Sequence, residues 1–317
     1  MPDITAIGEL LVDFTPYGLS ELGQPLFERN PGGAPANVAA AIVKLGRTAE
    51  FIGKIGDDAF GQGLKSVLDA RGVGTAGLIL TKEANTTLAF VHLDDQGDRS
   101  FSFYRHPGAD QLLREEEIPY AILDASSIVH FGSVSMSDEP SRGATLAAVR
   151  YARQKGLRIS YDPNLRSALW GSLDEAKQWI LEGMKYADIV KVSEEELEFL
   201  TGSTDLEKGS RLLAGPFATE LLLVTLGDKG SYYRAGELVG LVPGNLVQAV
   251  DTTGAGDAFF GGLLYGLLED GRKVNYWSSS ELERLLRFAN ATGALATTRK
   301  GGIPAMPTLE EVLASMK

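Results

Sequence analysis

Cysteine is absent from the 317 residues, and its absence removes disulfides, thiolate nucleophiles and thiolate metal sites. Histidine is scarce as well: the three in the chain, His92, His106 and His130, are scattered, which argues against a histidine-built metal centre. No apolar run reaches the roughly 18 residues that a membrane-spanning helix needs. The opening residues Met1-Pro2-Asp3-Ile4-Thr5-Ala6-Ile7-Gly8 carry neither the basic nor the apolar region of a secretory signal, so the expectation is a cytoplasmic protein with no membrane partner. Positive charge is in deficit, with 30 Lys and Arg against 42 Asp and Glu for a net charge of -12, and this speaks against nucleic acid as a partner. Phosphate-bearing substrates stay open, because backbone dipoles and a few local cations build an anion site on an acidic protein. No G-x-x-x-x-G-K-S/T loop occurs, and no G-x-G-x-x-G opens a helix after the first strand, which weakens a nicotinamide- or flavin-dependent reading.

What is present alternates. Strand-like segments at 4–12, 48–55, 77–81, 128–131, 158–162, 189–192 and 220–225 are interleaved with helical patterns at 38–46, 60–71, 142–155, 173–186, 194–201 and 206–214. A hairpin at 231–242, a strand-like run over 247–253, helices after Gly256 and over 280–296, and a short tail helix complete the pattern. Such alternation predicts right-handed βαβ units and an α/β fold with a central, mostly parallel sheet flanked by helices. Residues 86–93 and 99–105, joined through 94–98, read instead as a β-hairpin, expected in a small β-sheet lid with strands at approximately 14–30 and 86–106. The whole of 1–317 then forms a single domain in which the lid covers a site, serves as a homodimer interface, or does both.

The chemistry concentrates in Asp251-Thr252-Thr253-Gly254-Ala255-Gly256-Asp257. A helix begins there, so unpaired N–H groups converge at its positive end, and the small residues Gly254, Ala255 and Gly256 admit an anion to the main chain. Asp257 in the first turn suits a base that takes a proton from an attacking hydroxyl while the helix end stabilises a transferred phosphoryl group. An Asp that only caps a helix would look the same in isolation. Farther back, Gly32-Gly33-Ala34-Pro35-Ala36-Asn37 precedes an Ala-rich helix and points Asn37 toward a ligand on the first turn. Asp13, Asp162, Asn164, Ser193, Glu196 and the stretch Thr225 to Gly230 stand at expected strand ends, where ligands bind in α/β sheets.

The two glycine-rich stretches resemble the paired signatures of the ribokinase family, the PfkB-type carbohydrate kinases, in order and spacing across nearly the whole chain. The resemblance implies ATP-dependent phosphorylation of a sugar hydroxyl, with Asp257 as catalytic base and Gly254, Ala255 and Gly256 as anion hole. It implies Asp13, Gly32, Gly33 and Asn37 as ligands of the sugar, Thr225, Gly227, Gly230 and Asn290 near the nucleotide, and Glu196 acting on Mg²⁺ through water. Ser193 stands where the family usually has Asn, and Glu194 to Glu196 read equally as an acidic helix start. A monovalent cation, K⁺, would rest on carbonyls of Asp251, Thr253, Ala296, Arg299 and Gly301. Within the family, Asp162-Pro163-Asn164-Leu165-Arg166 and Phe103-Tyr104-Arg105 look most like bacterial fructokinases, which implies D-fructose as substrate, with Arg105, Asp162 and Arg166 facing it. Two arginines also suit the carboxylate of 2-keto-3-deoxygluconate. A catalytically silent sensor would keep the fold, but Asp257 beside an unbroken Gly-Ala-Gly argues against one.

Overall fold

The computed structural model describes residues 1–93, 99–217 and 219–317. In chain order the strands are β1 (Ile4–Ile7), β2 (Leu11–Leu19), β3 (Pro25–Gly32), β4 (Ala49–Gly56), β5 (Gly74–Thr81), β6 (Leu88–Leu93), β7 (Arg99–Tyr104), β8 (Ile128–Gly132), β9 (Arg158–Asp162), β10 (Ile189–Ser193), β11 (Leu221–Thr225), β12 (Gly230–Ala235) and β13 (Leu238–Pro243). The helices are α1 (Ala34–Lys44), α2 (Ala59–Arg71), α3 (Tyr120–Asp124), α4 (Ser141–Gln154), α5 (Leu173–Met184), α6 (Glu194–Thr201), α7 (Leu206–Ala214), α8 (Ala255–Asp270), α9 (Ser279–Ala296) and α10 (Leu309–Ser315).

Nine strands form one sheet in the order β13-β12-β11-β10-β9-β8-β1-β4-β5, parallel except for the β12–β13 hairpin at its edge. Its inner strands are apolar on both sides, as Leu221, Leu222, Leu223 and Val224 show, because helices cover both faces. One layer packs α1, α2, α8 and α9 against residues such as Ile4, Phe51 and Ile189; the other packs α4, α5, α6 and α7 against Phe131, Tyr161 and Val190. From β1 the chain builds outward to β4 and β5, then returns to add β8 on the other flank. The strand order reverses there, which opens a crevice at the carboxyl ends. Among the described residues no helix is long and apolar enough to cross a membrane.

Four strands form the second sheet, β3-β2-β6-β7. The expected strand over 4–12 is in fact two, because the chain leaves the main sheet at Gly8. Its φ of 156° and the Pro35 ring, which a Cβ at Gly8 would approach to 2.6 Å, suit glycine alone. Asp13 consequently lies inside β2 of the lid and not at the end of a main-sheet strand. The run over 247–253 is also not a strand: it joins no ladder, and Val247 and Val250 stay exposed. Residues 94–98, expected as the hairpin connection, lie outside the described residues. On its outer face the lid stacks Phe14 on Phe90 at 4.8 Å and sets Phe27 and Tyr104 edge-on to Phe90.

The lid is rooted by Arg105, just past β7. Its Nε donates to Asp110 Oδ2 at 2.8 Å, Nη1 to Ser137 Oγ at 2.8 Å and Nη2 to the Val134 carbonyl at 3.2 Å. All of this is buried, with the two charged side chains 2% and 1% exposed. The guanidinium therefore does not face a substrate, contrary to the expectation for Arg105; its donors are spent on joining the lid to the loop after β8. Breaking a buried pair leaves a stranded charge, so Arg105→Met should lower unfolding free energy by about 3–5 kcal/mol in urea titration. A loss below about 1 kcal/mol, the range of an exposed pair, would refute this structural role.

Candidate active site

The first turn of α8 is set by Gly254, the residue before the helix, whose left-handed φ of 74° aims the following N–H groups outward. Helix geometry leaves the amides of Gly256 and Asp257 without intrahelical acceptors. Asp257 is 6% exposed, and its Oδ2 accepts a hydrogen bond from Asn37 Nδ2 at 2.7 Å. Burial pushes the Asp257 carboxyl above the ordinary range, opposed by the charges of Lys191 and Arg166 and the Asn37 hydrogen bond, and reinforced by Glu196. A buried carboxylate with a raised pKa at an anion-binding helix end is matched to proton abstraction.

Around it lies a cavity of about 230 Å³ that takes Asp13, Gly33, Asn37, Arg166, Gly254, Gly256 and Asp257 into one wall system. Leu11, Asp13 and Thr15 alternate on the inner face of β2, with Val91 of β6 and Phe103 of β7 beside them, so the lid supplies the roof. Gly32 belongs here through its neighbour: a Cβ on it would stand 2.0 Å from Asp13 Oδ2. Gly33, with φ 119°, leaves room for the Glu9 carbonyl, which a Cβ would meet at 2.3 Å. Asn37 Oδ1 is buried without a partner. Burial also raises Asp13 to about 7, against the pull of Arg166 and with Asp251 and Asp257 adding to the rise.

A second cleft, of about 330 Å³, is lined by Thr225, Gly227, Gly230, Ala255, Asn290 and the exposed Leu246 and Val247. Thr252 and Gly256 belong to both cavities, so the helix end separates them. Gly227 and Gly230 take positive φ, and a Cβ at Gly230 would meet the Val242 carbonyl at 2.1 Å. Asn290 spends its amide nitrogen on the carbonyls of Val242 and Pro243, so it fixes this wall from behind.

Ser193 and Glu196 lie instead in a third groove, with Asn164, Arg166 and Lys191. Glu196 closes a capping box with Ser193 at the start of α6: Ser193 N donates to its Oε2 and Leu165 N to its Oε1, both at 2.7 Å. Among the described residues no cluster of three His, Cys, Asp or Glu could hold a metal. Each Glu196 oxygen keeps a lone pair beyond its backbone hydrogen bond, so the carboxylate is able to hold a water. The loops of Asp251 and Gly301 are stitched together by the Asp251 carboxylate, which accepts from Thr253 N, Thr253 Oγ1 and Gly301 N at 2.7 to 2.9 Å. Of the carbonyls expected at a K⁺ site, that of Ala296 already accepts from Arg299 N at 3.4 Å.

Asp162 does not line the cavity. It is 1% exposed, paired at 2.8 Å with Lys191, and the lysine stands between it and the open space. Sequence reasoning passed over Lys191 and Glu9, which line the sugar-sized cavity. Their signal was a charge inside an apolar strand pattern, Ile189-Val190-Lys191-Val192 and Gly8-Glu9-Leu10-Leu11. Glu9 accepts Ala34 N at 2.9 Å, at the start of α1, and keeps its other oxygen buried without a partner.

Burial raises the Glu9 carboxyl from 4.5 to about 7. A raised folded-state pKa contributes stability that is complete below the unfolded value and lost as pH rises through the folded one. The ligand-free protein should thus lose melting temperature between about pH 4.5 and pH 7, and Glu9→Gln should flatten part of that slope. Identical slopes in thermal melts of the two proteins would contradict the assignment.

Known proteins share this sequence pattern and this fold. The model of the pfkB family carbohydrate kinases matches residues 1–309. Fructokinase-1 of Oryza sativa subsp. japonica is 46% identical over 316 residues, covering 99% of this chain and 97% of the relative. Among solved structures, a fructokinase of Xylella fastidiosa with bound ATP superposes with a TM-score of 0.91 at 37% identity, covering 100% and 98% of the two chains. A fructokinase of Vibrio cholerae O395 with fructose, ADP and calcium ion bound gives 0.91 at 36% identity, covering 100% and 99%. With a family match over almost its whole length, this chain belongs to the pfkB family of carbohydrate kinases.

Proposed function

We propose that this kinase transfers the γ-phosphoryl group of ATP to the C6 hydroxyl of D-fructose, with Asp257 as general base. The observation that carries the reading is Asp257 itself, buried on the helix turn where the two cavities meet. Fructose would sit under the lid, its hydroxyls taken by Asp13, Asn37 and the backbone at Gly32 and Gly33. ATP would occupy the cleft of Thr225, Gly227 and Gly230 with its γ-phosphate at Gly254, Ala255 and Gly256. Asp257 accepts the hydroxyl proton as the oxygen bonds to phosphorus; the bond to the β-phosphate oxygen breaks, and ADP leaves. Lid closure keeps water from competing as acceptor.

Mg²⁺, held through water by Glu196, would neutralise phosphate charge, and K⁺ on the carbonyls of Asp251, Thr253, Ala296, Arg299 and Gly301 would hold the loops beside the anion hole. The acid-sugar alternative loses support from the placement of Arg105, because Arg166 is then the one arginine of the expected pair at the cavity. Fructose should accordingly exceed 2-keto-3-deoxygluconate in kcat/KM across a substrate panel, and the reverse ranking would overturn the choice of sugar. Asp257→Asn should lower kcat by at least roughly 10²-fold with fructose affinity kept. Undiminished turnover would remove Asp257 from its role.

We also infer a homodimer through the lid, which with its β2–β3 turn exposes Tyr17, Leu19, Leu22 and Tyr104 by 60% or more. Light scattering should give twice the chain mass, falling to one chain in Leu19→Glu/Leu22→Glu. A wild-type monomer would defeat this.

A further inference from the structure

Lys191 of β10 alternates with Val190 and Val192 and points to the face of the sheet under α8, where it is 6% exposed. Its cross-strand neighbour Asp162, at the end of β9, points the same way and accepts from Nζ at 2.8 Å. A buried ion pair is often no better for stability than two apolar side chains of similar volume, so stability alone does not account for this one. Three observations go further. The lysine lines both the cavity of Asp13, Asn37 and Asp257 and the groove of Ser193 and Glu196. A Cβ on Gly256 would stand 3.0 Å from Nζ, so the ammonium lies directly against the second residue of α8, at the anion-binding end. Among the described residues Asp162 is the one hydrogen-bond partner of the ammonium, and two of its three N–H donors remain for a ligand.

We propose that Lys191 is a catalytic cation that contacts the oxygens of the γ-phosphoryl group during transfer, positioned by Asp162. This rests on the phosphotransfer reading above. As the sugar oxygen bonds to phosphorus, its proton passes to Asp257 and the bond to ADP breaks. Charge spreads over the phosphoryl and leaving oxygens, and a cation already fixed there by Asp162 needs no reorganisation to meet it. Gly256 serves the same purpose from the other side, since a Cβ there would stand 3.0 Å from Nζ and press the ammonium aside by a few tenths of an ångström. Lys191 keeps its proton: burial works against the charge, but Asp162, Glu196 and Asp257 outweigh it and raise its pKa.

The test measures kcat, fructose affinity, and affinity for ADP alone against ADP with aluminium fluoride, a mimic of the transferring phosphoryl group, all in the presence of Mg²⁺. Lys191→Met should lower kcat by about 10²–10³-fold, as expected for loss of one preorganised donor. Fructose affinity should change less than about 3-fold, and most of the extra affinity gained from aluminium fluoride should vanish. Because this variant strands the Asp162 carboxylate, Lys191→Met/Asp162→Asn carries the comparison if the single variant does not fold. It should turn over about 10²-fold more slowly than Asp162→Asn alone. Equal turnover of those two proteins, or an unchanged response to aluminium fluoride, would reduce Lys191 to a structural ion pair. Wild-type protein that phosphorylates no sugar would overturn the phosphotransfer reading along with it, whereas active wild type with unaffected lysine variants overturns only the role of Lys191.

Discussion

The hydrogen bond from Asn37 to Asp257, 2.7 Å long and spanning 220 residues of sequence, is the constraint around which the site is arranged. It joins the first turns of α1 and α8, two helices of the same layer whose starts must therefore lie close together. Glycine makes that approach possible. A Cβ at Gly302 would meet Asn37 Oδ1 at 2.5 Å, and one at Gly254 would meet Gly302 Cα at 3.0 Å. Gly254 and Gly302 thus serve the packing of two helix ends as much as any ligand, and the carboxylate beside them is buried and oriented before a substrate arrives.

Acidity is the second theme. The chain carries net charge -12, and Glu9, Asp13, Asp162, Glu196, Asp251 and Asp257 all gather near the crevice. Each is stabilised differently: Glu196 by backbone N–H groups at a helix start, Asp162 by Lys191, Asp251 by the amides of its own loop and Gly301. Burial raises the pKa of Glu9 and Asp13 and, against the pull of Lys191, those of Asp162 and Asp257 as well. Such a site favours neutral hydroxyl-bearing ligands at its lid side. Its positive potential comes from Lys191, Arg166 and the end of α8. The acidity that argued against nucleic acid is thereby compatible with a phosphoryl donor.

Much of this was legible from residue pattern. The alternation of strands and helices, the lid hairpin, and the motifs ending at Asn37 and Asp257 each rest on local signals: period, turn chemistry and helix-end composition. What misled was composition read without partners. Val247 and Val250 look like strand residues but stay exposed beside the cleft of Thr225 and Gly230. Arg105 and Asp162 look like substrate ligands, yet each already has a buried partner, Asp110 and Lys191. Ser193 and Asn290 do line open grooves, and their hydrogen bonds to a helix start and to β13 are what the residue pattern did not reveal.

The sequence by itself determined the class of fold, the location of the glycine-rich helix start at Gly254, and the family to which both signatures point, because glycines at a helix start and apolar periodicity act over a few residues. Only the tertiary structure decided which charges face the ligand and which face each other. Lys191 and Asp162 are 29 residues apart in the chain, and Arg105 meets Ser137 and Val134 from a different element. Whether a buried charge is a ligand or a tie depends on its nearest opposite charge, and that distance is a property of packing which no local pattern encodes.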